Sequence, residues 1–137
     1  DMGSKNLVIQ SQKGSDSTLV QSTGFNRHFW FIGNNGVFDH QVIVLQLTNG
    51  GVNNASGGSV LIESGADPYF QDVVFANNSA YYGGGAIYVD GVSTATFVGC
   101  KFIGNTGGST NSFDTARGGA VYAMQNNDTS APQAISL

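Results

Sequence analysis

Apolar residues fall along the chain in short bursts separated by turn-forming residues. The bursts are Leu7-Val8-Ile9, Thr18-Leu19-Val20, residues 29–32, residues 42–47, Val60-Leu61-Ile62, residues 71–75, residues 86–89, Thr96-Phe97-Val98, residues 100–103 and Ala120-Val121-Tyr122. Between them lie Gly33-Asn34-Asn35-Gly36, Asn49-Gly50-Gly51, Asn77-Asn78, Gly83-Gly84-Gly85, Gly104-Asn105 and Gly107-Gly108. Short runs rich in β-branched and aromatic residues, bounded by Gly and Asn, predict strands. No window keeps a helical apolar period, because Gly, Asn, Ser and Thr interrupt every candidate. The pattern predicts an all-β chain.

Self-similarity narrows the architecture. Residues 70–78 (Phe-Gln-Asp-Val-Val-Phe-Ala-Asn-Asn) align with residues 97–105 (Phe-Val-Gly-Cys-Lys-Phe-Ile-Gly-Asn) at an offset of 27. Residues 45–50 align with residues 73–78 at an offset of 28. A second landmark recurs in step: Gly57-Gly58-Ser59-Val60-Leu61-Ile62 matches Gly84-Gly85-Ala86-Ile87-Tyr88-Val89, and that block matches Gly118-Gly119-Ala120-Val121-Tyr122-Ala123. The last offset is 34, with the extra seven residues falling in the polar 108–116 region. A period near 27 holding several short strands is one turn of a β-solenoid. Coils spaced by one strand separation stack equivalent side chains in columns. Leu47, Phe75 and Phe102 form one such column, and Leu45, Val73 and Cys100 another. Asn78 and Asn105 are placed as a ladder of stacked amides. Gly-Gly before each Ser/Ala-Val/Ile block supplies a corner without Cβ atoms.

Composition supports a narrow stacked coil. The 137 residues include 20 Gly, 13 Asn, 14 Ser and 9 Thr, small residues suited to corners and ladders. The net charge of −4 argues against nucleic-acid binding, which needs a basic face. Nine Phe, five Tyr and one Trp with only 10% charged residues argue against disorder. No apolar run reaches the length of a membrane span. The lone Cys100 can form no intrachain disulfide, and its alternation with apolar neighbours reads as a core position.

The pairing of Phe-x-x-Asn with Gly-Gly-Ala-Ile/Val resembles the repeats of the chlamydial polymorphic outer-membrane proteins. It occurs as Phe75-Ala76-Asn77-Asn78 with Gly84-Gly85-Ala86-Ile87, and as Phe102-Ile103-Gly104-Asn105 with Gly118-Gly119-Ala120-Val121. More broadly the chain is similar to the pectin-lyase-like superfamily. The resemblance implies a right-handed parallel β-helix of about five coils of roughly 27 residues. Clear repeats cover 42–123, residues 1–41 match loosely, and 124–137 read as a tail or the start of a further coil. Residues 1–137 are expected to form one β-helix domain, or a fragment of a longer chain. No segment reads as the membrane barrel of the chlamydial proteins.

The superfamily includes polysaccharide lyases and hydrolases, so a carbohydrate-active enzyme is the alternative function. Its candidates are Asp72 and Lys101 on adjacent turns, with Asp90 and Arg117 as further charged groups. A solvated surface pair is the simpler reading of Asp72 and Lys101. Glu63 is the one Glu, and no paired carboxylates suggest a hydrolase. His28, Asp39 and His40 lack the spacing of metal ligands, so no metal or cofactor is expected. Ice binding would need a threonine column at the repeat spacing, which Thr94-Ala95-Thr96 lacks.

The expected function is an extracellular, cell-surface structural or adhesive module. Sequons at Asn54, Asn77 and Asn127 fall in turns and are candidate N-glycosylation sites. Solenoid ends expose core cross-sections and unpaired edges. Partners are therefore expected to be further coils of the same chain or head-to-tail copies in a homopolymeric filament, with Ile135 and Leu137 a tail able to pair with a neighbour.

Overall fold

In the computed structural model, residues 6–33, 40–108 and 117–124 are described, together with the backbone of 135–136. Among them the regular elements are strands. They are β1 (Val8–Gln10), β2 (Leu19–Gln21), β3 (Phe29–Ile32), β4 (Gln41–Ile43), β5 (Gln46–Thr48), β6 (Gly51–Val52), β7 (Val60–Glu63) and β8 (Tyr69–Gln71). They continue with β9 (Val74–Ala76), β10 (Ser79–Ala80), β11 (Ile87–Val89), β12 (Ala95–Val98), β13 (Lys101–Ile103), β14 (Thr106–Gly107), β15 (Val121–Ala123) and β16 (Ile135–Ser136).

The strands stack in four all-parallel ladders: β1-β4-β8-β12-β16, β2-β5-β9-β13, β3-β7-β11-β15 and β6-β10-β14. Each strand pairs with its counterpart one winding away, as in a parallel β-solenoid. Gln46 pairs with Val74 and Val74 with Lys101, steps of 28 and 27 residues. The Ile87–Val121 pair steps by 34. The backbone of β16 pairs with β12 of the same chain, so Ile135 engages its own ladder rather than a neighbour; Leu137 lies outside the described residues.

Alternation within each strand fills the interior. In β7, Val60 and Ile62 point inward and are fully buried, while Leu61 and Glu63 face outward. Phe70 stacks on Phe97 with ring centroids 5.2 Å apart, and Phe75 on Phe102 at 5.0 Å. Phe70 meets Phe75 edge-on at 5.6 Å, so the two columns interlock. Leu47 lies above Phe75 in register and is fully buried.

The sequence pattern predicts single strands over 42–47 and 71–75, and the structure divides both. Val44 (φ 58°), Asp72 (φ 52°) and Gly99 (φ 63°) occupy one repeated left-handed corner between adjacent strands. Gly99 is the residue type suited to that backbone, and the added Cβ of any substitute would run into the Asp72 carboxylate. Val44 is β-branched, and left-handed backbone costs such a residue about 1–2 kcal/mol. A second corner repeats at Asn49 (φ 58°), Asn77 (φ 54°) and Gly104 (φ 61°). The Gly-Gly corners are crowded by neighbouring backbone. A Cβ on Gly58 would meet the carbonyl oxygens of Ser79 and Gly85, and one on Gly85 that of Gly119.

Buried polar groups link the coils. The Asn78 amide is 1% exposed. Its Oδ1 accepts from the Gly50 N–H at 2.8 Å, and its Nδ2 donates to Leu47 O at 3.2 Å and Asn105 Oδ1 at 2.9 Å. Asn105 Oδ1 also accepts from the Asn78 N–H at 3.0 Å, and Asn105 Nδ2 donates to Phe75 O at 2.9 Å. His28 Nδ1 lies 2.8 Å from Ser59 Oγ, and its Nε2 lies 3.2 Å from Thr48 O. The neutral ring protonated on Nε2 satisfies both contacts. Burial pushes the His28 pKa below the usual imidazole value, outweighing backbone hydrogen bonding that raises it.

Replacing Asn78 with Ala orphans the buried Gly50 N–H and removes the amide's bonds to Leu47 O and Asn105 Oδ1, and is expected to cost about 1–3 kcal/mol in urea unfolding. Val44→Asn is expected to gain about 1 kcal/mol, because Asn tolerates left-handed backbone. For His28, the unfolded imidazole binds a proton more readily than the folded one. Its contribution to stability is therefore complete above the unfolded pKa of about 6.5 and declines as pH falls below it. Unfolding free energies at pH 7.5 and 5.5 should differ more for the wild type than for His28→Asn, measured by urea titration.

Candidate interaction surface

The groups with enzyme-like chemistry do not converge. Asp72 sits at the left-handed corner, exposed, with Oδ2 accepting from Gln71 Nε2 at 3.3 Å. Lys101 is exposed on β13, paired in register with Val74, and no ion pair joins it to Asp72. Asp90 ties its own loop to that of the neighbouring coil: Oδ1 accepts from the Val92 N–H at 3.2 Å and Oδ2 from the Ser64 N–H at 2.7 Å. The half-buried Cys100 thiol lies 3.6 Å from Phe70 O, and burial pushes its pKa up. A raised thiol pKa leaves less nucleophilic thiolate.

His28 and His40 have separate structural partners. His40 Nδ1 accepts from the Leu7 N–H at 3.3 Å, and its ring lies 5.6 Å from that of Phe31. Asp39 lies outside the described residues. Among the described residues no three His, Cys, Asp or Glu side chains group as metal ligands. Of the sequons, Asn54 and Asn77 are exposed at left-handed positions, and Asn127 lies outside the described residues.

The face that does assemble chemistry is the outer side of the ladder β3-β7-β11-β15. Register places Trp30, Leu61, Tyr88 and Tyr122 in one outward column. Trp30 is 59% exposed. Its indole Nε1 donates to Glu63 Oε1 at 2.9 Å, and the Arg27 guanidinium carbon lies 5.9 Å from the ring centroid. At the other end, the Arg117 guanidinium carbon lies 5.6 Å from the Tyr122 ring, and its Nη1 donates to the Tyr122 hydroxyl at 3.1 Å. Tyr88 and Tyr122 pack tilted with centroids 5.6 Å apart. The Tyr88 hydroxyl donates to Met124 Sδ at 2.6 Å. Burial raises the Tyr88 pKa, reinforced by Tyr122, Asp90 and Glu63 and opposed by Arg117, so the hydroxyl stays protonated and able to donate.

None of the catalytic residue types picked out by the sequence falls in this column. Its signal lies in the repeat itself, where the middle residue of Val60-Leu61-Ile62, Ile87-Tyr88-Val89 and Val121-Tyr122-Ala123 must face outward if its neighbours face inward.

Comparison with known proteins places a short stretch of the chain in context. Residues 72–90 match the Chlamydia polymorphic membrane protein repeat, spanning the Asp72 corner, Asn78 and β11. The chain is also 38% identical over 88 residues to the probable autotransporter YfaL of Escherichia coli (strain K12). That alignment covers 58% of this chain and 6% of the length of the E. coli protein. No solved structure matches the chain significantly. The similarities support a β-helix or solenoid superfamily for this chain.

Proposed function

We propose that the chain is an extracellular, cell-surface β-helix module with a structural and adhesive role. The observation that carries this reading is the outward column Trp30-Leu61-Tyr88-Tyr122 on a rigid parallel ladder. Large aromatic side chains held on a paired backbone present contact area with little ordering left to lose on binding. Similarity to an autotransporter and to a polymorphic membrane protein repeat supports the cell-surface placement. We take the solenoid as right-handed, the hand of nearly all parallel crossover connections, with about five coils of roughly 27 residues. The exposed Asn54 and Asn77 are the proposed glycan positions in a source that modifies sequons.

The self-association reading rests on the first winding. Val20 shares the register column of Leu47 and Phe75, yet it is 38% exposed, against 0% for both of them. Leu19 beside it is 54% exposed. β2 is the last strand of its ladder. We assign this end to a further parallel coil, supplied by the same polypeptide or by a head-to-tail copy. Sedimentation velocity should show concentration-dependent oligomers that Val20→Lys abolishes; a concentration-independent monomer would remove the assembly reading.

Beads coated with the chain should adhere to cultured cells, and Trp30→Ala should lower the retained fraction about threefold or more, a loss of the order of 1 kcal/mol. The polysaccharide-cleaving alternative has a separate signature. Turnover of polygalacturonate that disappears in Asp72→Ala or Lys101→Ala, with the circular dichroism spectrum unchanged, would replace the adhesive reading with an enzymatic one.

A further inference from the structure

We infer that the outward column of β3-β7-β11-β15 binds a neutral polysaccharide laid along the solenoid axis. This rests on the adhesive reading and names what that face holds. Trp30, Leu61, Tyr88 and Tyr122 occupy one register position on four successive strands. Successive strands are about 4.8 Å apart, so the column runs about 14 Å, close to the length of three extended pyranose rings. The backbone beneath it is already paired within the ladder. A peptide therefore cannot add here as a strand, and a ligand must engage the side chains alone.

Charge selects the class of ligand. Arg27 and Arg117 stand beside the rings at the two ends of the column. Glu63 and Asp90 lie within electrostatic reach of Tyr88 between them. Two cations and two anions balance, so the column carries no excess charge of its own to draw in a polyanion or a polycation. The margins carry donors and acceptors suited to sugar hydroxyls: the Tyr88 and Tyr122 hydroxyls, two guanidinium groups and the Glu63 carboxylate. The Arg27 Nη1 is buried with no hydrogen-bond partner. A guanidinium short of one acceptor gains a hydrogen bond by turning toward a ligand hydroxyl.

Trp30 is the single tryptophan of the chain and reports directly on this face. The probe is cellohexaose, a neutral hexamer of glucose, with cellobiose as a short comparator and hexagalacturonate as an acidic one. Cellohexaose should shift Trp30 emission saturably and with an affinity that low and high salt leave unchanged. Cellobiose should bind at least about tenfold more weakly, since it spans only part of the column. Tyr88→Ala should weaken cellohexaose binding about fivefold or more, while Tyr88→Phe retains most of it; both should keep the wild-type circular dichroism spectrum.

Three results would overturn the inference. The first is an emission shift with hexagalacturonate alone that fades with salt, which marks a polyanion site. The second is no shift with any of the three sugars. The third is cellohexaose binding untouched by Tyr88→Ala, which puts the sugar elsewhere. Cell adhesion of the coated beads that persists when cellohexaose neither binds nor competes removes this inference alone. Failure of adhesion together with loss of sugar binding removes both readings.

Discussion

The constraint on which the structure depends is the pairing of each strand with its own counterpart one winding away. Backbone hydrogen bonds run along the solenoid axis, so the neighbour of any residue is the equivalent residue of the next coil. A side chain suited to a column is therefore tested against its own kind. Phe75 over Phe102 and Phe70 over Phe97 satisfy this test by stacking. Asn78 over Asn105 satisfies it because an amide carries both donors and an acceptor and can bond to a copy of itself. Charges fail it, since like charges stacked at strand spacing repel. That failure accounts for an interior ladder built of neutral amides and a chain with only 10% charged residues.

The same pairing makes the corners the weak point of the design. Each coil must turn sharply between short strands, and the turn uses left-handed backbone at equivalent positions. Gly99 and Gly104 meet that demand at no steric cost, whereas Asn49 and Asn77 meet it as residues that tolerate the region. Val44 does not, and it is held there by the ladders on either side of it. The strain at Val44 is the visible cost of keeping Val42 and Leu47 both in the interior while the chain changes direction between them.

A rigid ladder converts a local choice of residue into a surface of defined spacing. Tyr88 and Tyr122 are unremarkable in isolation, but register sets them beside one another, with Trp30 and the adjacent Arg27 two strand steps from Tyr88 and three from Tyr122. The face is then organised by the backbone rather than by loops. Binding by such a face asks little reorganisation of the protein. The charged residues that fold analogy would nominate for catalysis have no comparable organisation: Asp72 serves a corner and Asp90 ties down a loop.

The repeat alone settled a large part of this protein. Offsets of 27, 28 and 34 residues, read without coordinates, are the registers of β5, β9, β11 and their partners. They carry that information because a parallel ladder has no other freedom than its period. Where the repeat was faint, the tertiary structure decided. It set the three strands already visible as apolar bursts between residues 8 and 32 at the edges of their ladders, broke two apparent strands at Val44 and Asp72, and paired the backbone of β16 with β12. Left-handed backbone at a valine contradicts local propensity, so only the stacked neighbours can impose it. The aromatic face was written in the alternation of each strand, but its charge balance depends on where Arg27, Glu63 and Arg117 come to rest. Those placements follow from contacts across windings, which no single stretch of sequence contains.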